Sequence, residues 1–307
     1  MMQALKITYL QRRDVNDEKW NACIASSVNG LIYAYSFYLD AMTDNWDALV
    51  LGDYEAVMPL PWRKKWGITY LYYPFLTAQL GVFSKELSVD IFEDFLNAVP
   101  KKFEFWDISF NQQNLFAVKG YPLYERSNYV LSLNKTYEDL YKAYRENVRR
   151  NVKKSLRYGC CVKTDVLIDE IIALAKLQAQ KATEKGLENF KNLFALLDEK
   201  GMAKTYGVVS QKDELLASAV FLFSNNRAYY ILVGNHPNGR TLGASHALID
   251  AFIKDHAGQD LLLDFEGSDV RNLQFFYSSF GAKEEKYAAI KLNRLPWWVR
   301  LVKQDAY

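Results

Sequence analysis

The order of strand-like and helix-like segments is written twice in this chain, and that repetition limits the folds open to it more than any other feature. In the first half, DALVLG, EAVMPLPWR and GITYLYYP read as three strands, followed by TAQLGVF, the amphipathic SVDIFEDFLNAV and a further strand, FEFWDISF. In the second half, AKTYGVVS, ELLASAVFLFS and RAYYILVG are followed by NHPNGRTLGAS, the helical ASHALIDAFIKDH and the strand DLLLDFEG. Leu80-Gly81 and Leu242-Gly243 mark the same loop in each copy, one domain length apart. A plan of this size that occurs only twice is a duplicated domain, whereas solenoids repeat shorter units more often. Three strands joined by short turns, then a helix and another strand, predict an α+β fold, with a mixed, largely antiparallel sheet flanked by helices in each copy. The 307 residues, half of them apolar, are enough for two such cores. The predicted boundaries are 1–135 for the first domain and 136–292 for the second, which opens on a linker helix, 137–158. The tail 293–307 is expected to pack on the first domain; its Trp297, Trp298, Arg294, Arg300 and Lys303 also have the composition of a membrane-surface contact.

Composition narrows the function. The 38 basic and 36 acidic residues nearly cancel, so no global field favours DNA, and anion binding must be local. Local it is in RENVRRNVKKSLRYG: Val148, Val152, Ser155 and Leu156 fall at helical spacing while Arg145, Arg149, Arg150, Lys153, Lys154 and Arg157 cover the other sides. Such a face either solvates the helix or binds phosphate. Cys23, Cys160 and Cys161 form no CxxC, and the adjacent pair does not close a relaxed disulfide, which fits a reducing compartment. With no signal-peptide pattern and no apolar run of about 18 residues, the expected location is cytoplasmic, without an integral membrane segment. His236, His246 and His256 lack cysteine partners and HExxH spacing, so no metal site is expected. No nucleophile elbow, Walker loop or GxGxxG occurs.

The loop NHPNGRTLGAS joins a strand ending at Gly234 to a helix beginning near Ala244. Backbone N–H groups at such a helix start lack intrahelical partners and sit at the positive end of the dipole, which suits phosphate oxygens. Gly239 and Gly243 allow close backbone approach, and Arg240 supplies a cation. Taken alone, the stretch reads more readily as an ordinary strand-to-helix turn than as an anion site.

RTLGAS, standing after three antiparallel strands, resembles the R/Q-x-x-G-x-G/A loop of GNAT-type N-acetyltransferases, and NLQFFYSSFGAK resembles their second signature, with Tyr277 and Gly281 at its spacing. Ser245 stands where that family usually has Gly or Ala. The whole chain is similar to the Fem-type and BioF2-like acyltransferases, in which two GNAT-like domains stand in tandem; the duplicated plan, RENVRRNVKKSLRYG and DFEGS…FFYSSFGA carry that likeness. The resemblance implies an acyltransferase with Asn238, Gly239, Arg240, Leu242, Gly243, Ala244 and Ser245 holding the coenzyme A pyrophosphate, and Tyr277 as the acid for the departing thiolate. Fem-type enzymes take amino acids from aminoacyl-tRNA to a peptidoglycan precursor and typically carry Lys where this chain has Tyr277. That departure, with the missing helical hairpin that some members insert for tRNA, favours acetyl-CoA or another acyl-CoA as donor.

Transfer of an acyl group to an amine needs a base, donors that polarise the carbonyl and an acid for the leaving group. Glu266, just past LLLDF, is the candidate base; Asp264, two residues earlier, faces the same side of a strand, so one of the two carboxylates serves structure. The first copy's TAQLGVF has one glycine and no cation, a poor diphosphate cradle, so that half is assigned to the acceptor. Gln79 and Tyr73, with Arg149, Arg150 and Lys153 of the linker helix, are the candidate acceptor contacts; Tyr72, Arg63, Lys64 and Lys65 lie nearby in sequence. The expected partner is a small-molecule, lipid-linked or nucleotide-linked amine. Two other readings stay open: a Fem-type aminoacyltransferase, and a non-catalytic binding protein with degenerate domains.

Overall fold

A computed structural model of the protein describes residues 6–177, 183–267 and 269–295, and the chain divides into two units, 1–126 with 286–307 and 127–285. The first unit runs β1 (Ile7–Gln11), α1 (Asp17–Ser26), α2 (Ser36–Met42), β2 (Trp46–Leu51), β3 (Ala56–Lys65), β4 (Ile68–Tyr72), β5 (Phe83–Ser84), α3 (Val89–Ala98) and β6 (Phe103–Ser109). β1, β2, β3 and β4 are antiparallel neighbours, and β6 lies parallel to β4. The apolar run of β3 is buried from Ala56 to Pro61, as a central strand requires, although it holds two prolines. β3 meets β2 from Ala56 to Pro61 but reaches β4 only from Trp62 and β5 only at Ala56 and Val57. The gap on that side holds Pro59 and Pro61, which have no N–H to donate. α3 starts at Ser88, whose side chain accepts the Ile91 N–H, and buries Phe92, Phe95 and Leu96 in a core with Phe103, Trp106 and Phe110.

The chain continues with β7 (Leu123–Ser132), α4 (Tyr137–Ala143), α5 (Glu146–Arg157), β8 (Cys161–Thr164), α6 (Ile168–Lys176), α7 (Glu184–Glu199), β9 (Ala203–Val209), β10 (Leu215–Ser224), β11 (Arg227–Asn235), α8 (Pro237–Leu242), α9 (Ala244–His256), β12 (Leu262–Asp264), α10 (Arg271–Ser278) and β13 (Lys283–Asn293). In the second unit β8, β9, β10 and β11 are antiparallel neighbours, β12 is parallel to β11, and Val130–Ser132 of β7 lie antiparallel to β12. α9 packs on this sheet through Phe252, which stacks on Phe221 with ring centroids 3.7 Å apart. The predicted linker helix is two helices: the chain is extended at Tyr144 and Arg145, where a buried tyrosine turns the path between α4 and α5.

The topologies match element for element. β2, β3, β4, α3 and β6 of the first unit repeat as β9, β10, β11, α9 and β12 of the second. The last strand of each sheet comes from the other copy in chain order: Ala289–Asn293 of β13 pair with β6, while β7, which follows β6 in sequence, pairs with β12. The divisions therefore fall after Arg126 and Glu285, where the sequence placed them at 135 and 292. An exchanged strand has the same alternation as an unexchanged one, so sequence offers no sign of the exchange. Of the tail, residues 296–307, with Trp297, Trp298, Arg300 and Lys303, lie outside the described residues. Arg294 stands over the rings of Trp106 and Tyr121, 5.0 and 5.9 Å from their centroids.

Candidate active site

The second unit opens where β11 and β12 part company. β12 holds β11 only from Arg227 to Tyr229, and beyond that point β11 bulges. Ser218 faces Gly234 while Val220 faces Ile231, and Leu232 takes up the extra residue in a left-handed conformation, φ 48. For a leucine this conformation is strained; beyond it Gly234 and Asn235 stay paired with Ser218 and Ala217 of β10, without β12 beside them. The cleft so formed holds about 290 Å³ and is walled by Tyr230, Val233 and Asn235 of β11, by the α8–α9 segment, and by Leu273, Phe276 and Tyr277 of α10.

The stretch expected as an open loop before α9 is instead a short helix, α8, with Pro237 at its first position and the His236 ring accepting the Asn238 N–H at 3.2 Å. Gly243, at φ 73, ends α8 and begins α9. Its glycine is demanded by packing, because a Cβ would lie 2.6 Å from the Asn151 carbonyl oxygen of α5. At Gly239 a Cβ would lie 2.2 Å from the Leu216 carbonyl oxygen of β10. Gly239, Arg240, Gly243 and Ser245 line the cleft. The other three predicted donor contacts do not: Asn238 is exposed, Leu242 packs on the apolar core and Ala244 is fully buried. Ser245, the departure from the usual Gly or Ala, donates its hydroxyl to the Asn235 side-chain oxygen.

Tyr277 is buried, stacks on Phe265 at 4.7 Å, and presents its phenol to the cleft. Burial, and then the charge of Glu266, push this phenol above its usual range, so it stays protonated at physiological pH. Tyr230 of β11 is raised in the same way, by burial and by Tyr277. The two candidate carboxylates are separated by structure. Asp264 ends β12 with one oxygen 2.6 Å from Arg227 Nη1 and the other accepting the Glu266 N–H at 2.7 Å; Arg227 also bonds Glu285 at 3.0 Å. It is wholly committed to a buried ion network. Glu266 lies past the strand with φ 60, so the two-residue alternation expected to put both on one side does not apply. Of the pair, Glu266 is the one whose charge bears on Tyr277.

The candidate acceptor residues fall in separate units. Arg149, Arg150 and Lys153 lie on α5 of the second unit, Arg150 and Lys153 exposed and Arg149 half-buried, and among the described residues none has an ion-pair partner. Gln79 and Tyr73 belong to the first: Gln79 is buried with Oε1 lacking a hydrogen bond, and Tyr73 is half-exposed. In the first unit the segment that corresponds in sequence order to the α8–α9 turn is surrounded by buried side chains. Asn29, Asn111 and Asn114 are fully buried and bond the backbone around Gly81, through Leu80 O at 3.0 Å, Val82 N at 2.7 Å and Val82 O at 2.8 to 3.2 Å. A Cβ at Gly81 would lie 2.2 Å from Asn114 Oδ1. An amide cluster thus holds the backbone around Gly81, the sequence counterpart of Gly243. Sequence reasoning missed Tyr230, His246 and Phe276, which line the cleft, and Asn151 of α5, which contacts His246.

The second unit thus has a bulged strand parting from its parallel neighbour, with a glycine-containing helix start on one side and a tyrosine-bearing helix on the other. Residues 142–270 match the family model described as the acetyltransferase (GNAT) domain. No curated protein matches the sequence. Across the chain the fold is that of tandem GNAT-like proteins. It is similar to FemX (14% identity, 97% of this chain and 100% of that one, TM-score 0.68). It is also similar to a tandem GNAT protein from the clavulanic acid biosynthesis pathway (12%, 95% and 99%, TM-score 0.57). A third likeness is to L-PGS from Bacillus licheniformis (12%, 94% and 95%, TM-score 0.56). At these identities the likeness is one of fold. No helix among the described residues is long and apolar enough to cross a membrane.

Proposed function

We propose that the protein transfers an acyl group from acyl-CoA to the amine of a phosphorylated or cell-envelope-related acceptor. The carrying observation is that the cleft unites Gly239, Arg240 and Gly243 at one side with the protonated Tyr277 phenol at the other. The thioester end of the donor lies toward Tyr277, which gives its proton, or a strong hydrogen bond, to the departing thiolate. Glu266 takes up the proton lost by the amine, directly or through water, and the unpaired cations of α5 draw the acceptor's phosphate. In the first unit the backbone around Gly81 is occupied by buried amides, so the reading assigns the donor to the second unit alone. Calorimetric titration with CoA and acetyl-CoA tests the reading, and absence of heat at millimolar ligand would overturn it. Tyr277→Phe is expected to lower kcat by about 10²-fold or more while donor affinity changes less than threefold; equal losses would remove Tyr277 as the acid.

One observation favours a second reading, an aminoacyl ester as donor. Arg149, Arg150 and Lys153 of α5 stand without ion-pair partners among the described residues, and such a basic face suits a polyphosphate donor. If CoA fails to bind and aminoacyl-tRNA binds with a steep salt dependence, this reading replaces the first.

A further inference from the structure

One cleft-lining side chain, His246, has no part in the scheme above, and it has a polar partner behind it. Asn151, on the inner side of α5, places Nδ2 3.3 Å from Nε2 of His246, the third residue of α9. An amide nitrogen only donates, so Nε2 accepts and the ring hydrogen resides on Nδ1. The other walls are apolar: Phe276 meets the imidazole edge-on with centroids 4.9 Å apart, and Phe280 lies at 5.9 Å. Burial alone lowers the imidazole to about 4, with no carboxylate or cation acting on it among the described residues. At neutral pH the ring is therefore uncharged. Nδ1 has no hydrogen-bond partner among the described residues, and the ring lines the cleft. The neighbouring Ser245 hydroxyl is already engaged by Asn235, so it does not duplicate this donor.

We propose that His246, held in its Nδ1–H tautomer by Asn151, is a hydrogen-bond donor to an acceptor oxygen of the acyl donor and a determinant of donor affinity. The proposal rests on the acyl-CoA reading of the cleft. A neutral N–H suits this place because a cation among Phe276, Phe280 and the core would lose its hydration without a counter-charge. Asn151 acts as a positioning residue: without it the ring is free to exchange tautomers and present a lone pair to the ligand oxygen.

The test combines CoA calorimetry with ring-nitrogen NMR of the unliganded protein, on wild type, His246→Asn, His246→Phe and Asn151→Leu. Asparagine keeps an N–H near the Nδ1 position, whereas phenylalanine keeps the ring and loses the donor. His246→Asn is expected to bind CoA within about threefold of wild type and His246→Phe about tenfold or more weakly, the loss of one good hydrogen bond. Asn151→Leu is expected to show both ring tautomers in the spectrum and intermediate affinity. Wild-type affinity in His246→Phe, at unchanged thermal stability, overturns the proposal. So does a wild-type ring with its hydrogen on Nε2, whatever the cleft binds. A wild type with the Nδ1–H ring that takes up no CoA overturns the ligand assigned here together with the acyl-CoA reading, so the two failures are told apart.

Discussion

His246 also reports on its own burial through stability. Its folded-state value, about 4, lies below the 6.5 of a solvent-exposed imidazole in an unfolded chain. Between those values the unfolded chain binds more protons, so the contribution is complete above pH 6.5 and is lost as pH falls toward 4. The size is up to about 3 kcal/mol. His246→Asn does not titrate, so its urea midpoint is expected to fall less than that of wild type between pH 7 and 4.5; parallel falls would show that burial does not hold the ring neutral. At this scale the sequence was informative about Tyr277, which a motif marks, and silent about His246. A histidine three residues past a glycine has no distinguishing neighbour in sequence, and its partner Asn151 lies 95 positions away.

At the scale of elements, α5, α8 and α9 meet through absent side chains. Gly243→Ala places a Cβ against the Asn151 carbonyl and puts alanine in a left-handed conformation, which is expected to cost about 2–4 kcal/mol. Because Asn151 carries the amide that orients His246, donor affinity is expected to fall with stability; urea unfolding beside CoA titration checks both, and an unchanged midpoint would show that α5 yields freely. The bounds of β9, β10, β11 and α9 were legible because apolar periodicity and length set them. α8 was not: PNGRTL has the composition of a turn, and becomes helical with Pro237 at its start and Gly239 packed on β10. The bulge at Leu232 was equally hidden, since leucine is a residue that nothing in sequence marks for a left-handed conformation.

For the whole molecule, the exchange of final strands makes the first unit discontinuous in sequence. Its sheet needs Ala289–Asn293 beside β6, and Ala288 and Ile290 belong to its core. A chain ending at Ala282 is therefore expected to lose hydrogen-exchange protection in β6 and β4, although it retains every residue of the first repeat. Undiminished protection there would mean that the strand is dispensable. The amide cluster around Gly81 has a consequence at this scale too: CoA titration of the intact protein is expected to give one donor site per chain, and a stoichiometry of two would contradict the assignment.

The sequence by itself determined the duplicated α+β plan, most element bounds and the glycines of the segment before α9, because periodicity, turn chemistry and short motifs are local properties. Tertiary structure alone decided which strand closes each sheet, where β11 bulges, which of Asp264 and Glu266 is spent on an ion network, and what stands in the cleft wall. Those outcomes depend on contacts between residues far apart in the chain, such as Asp264 with Arg227 and His246 with Asn151, whose pairing is chosen by packing and by the demand that buried polar groups find partners.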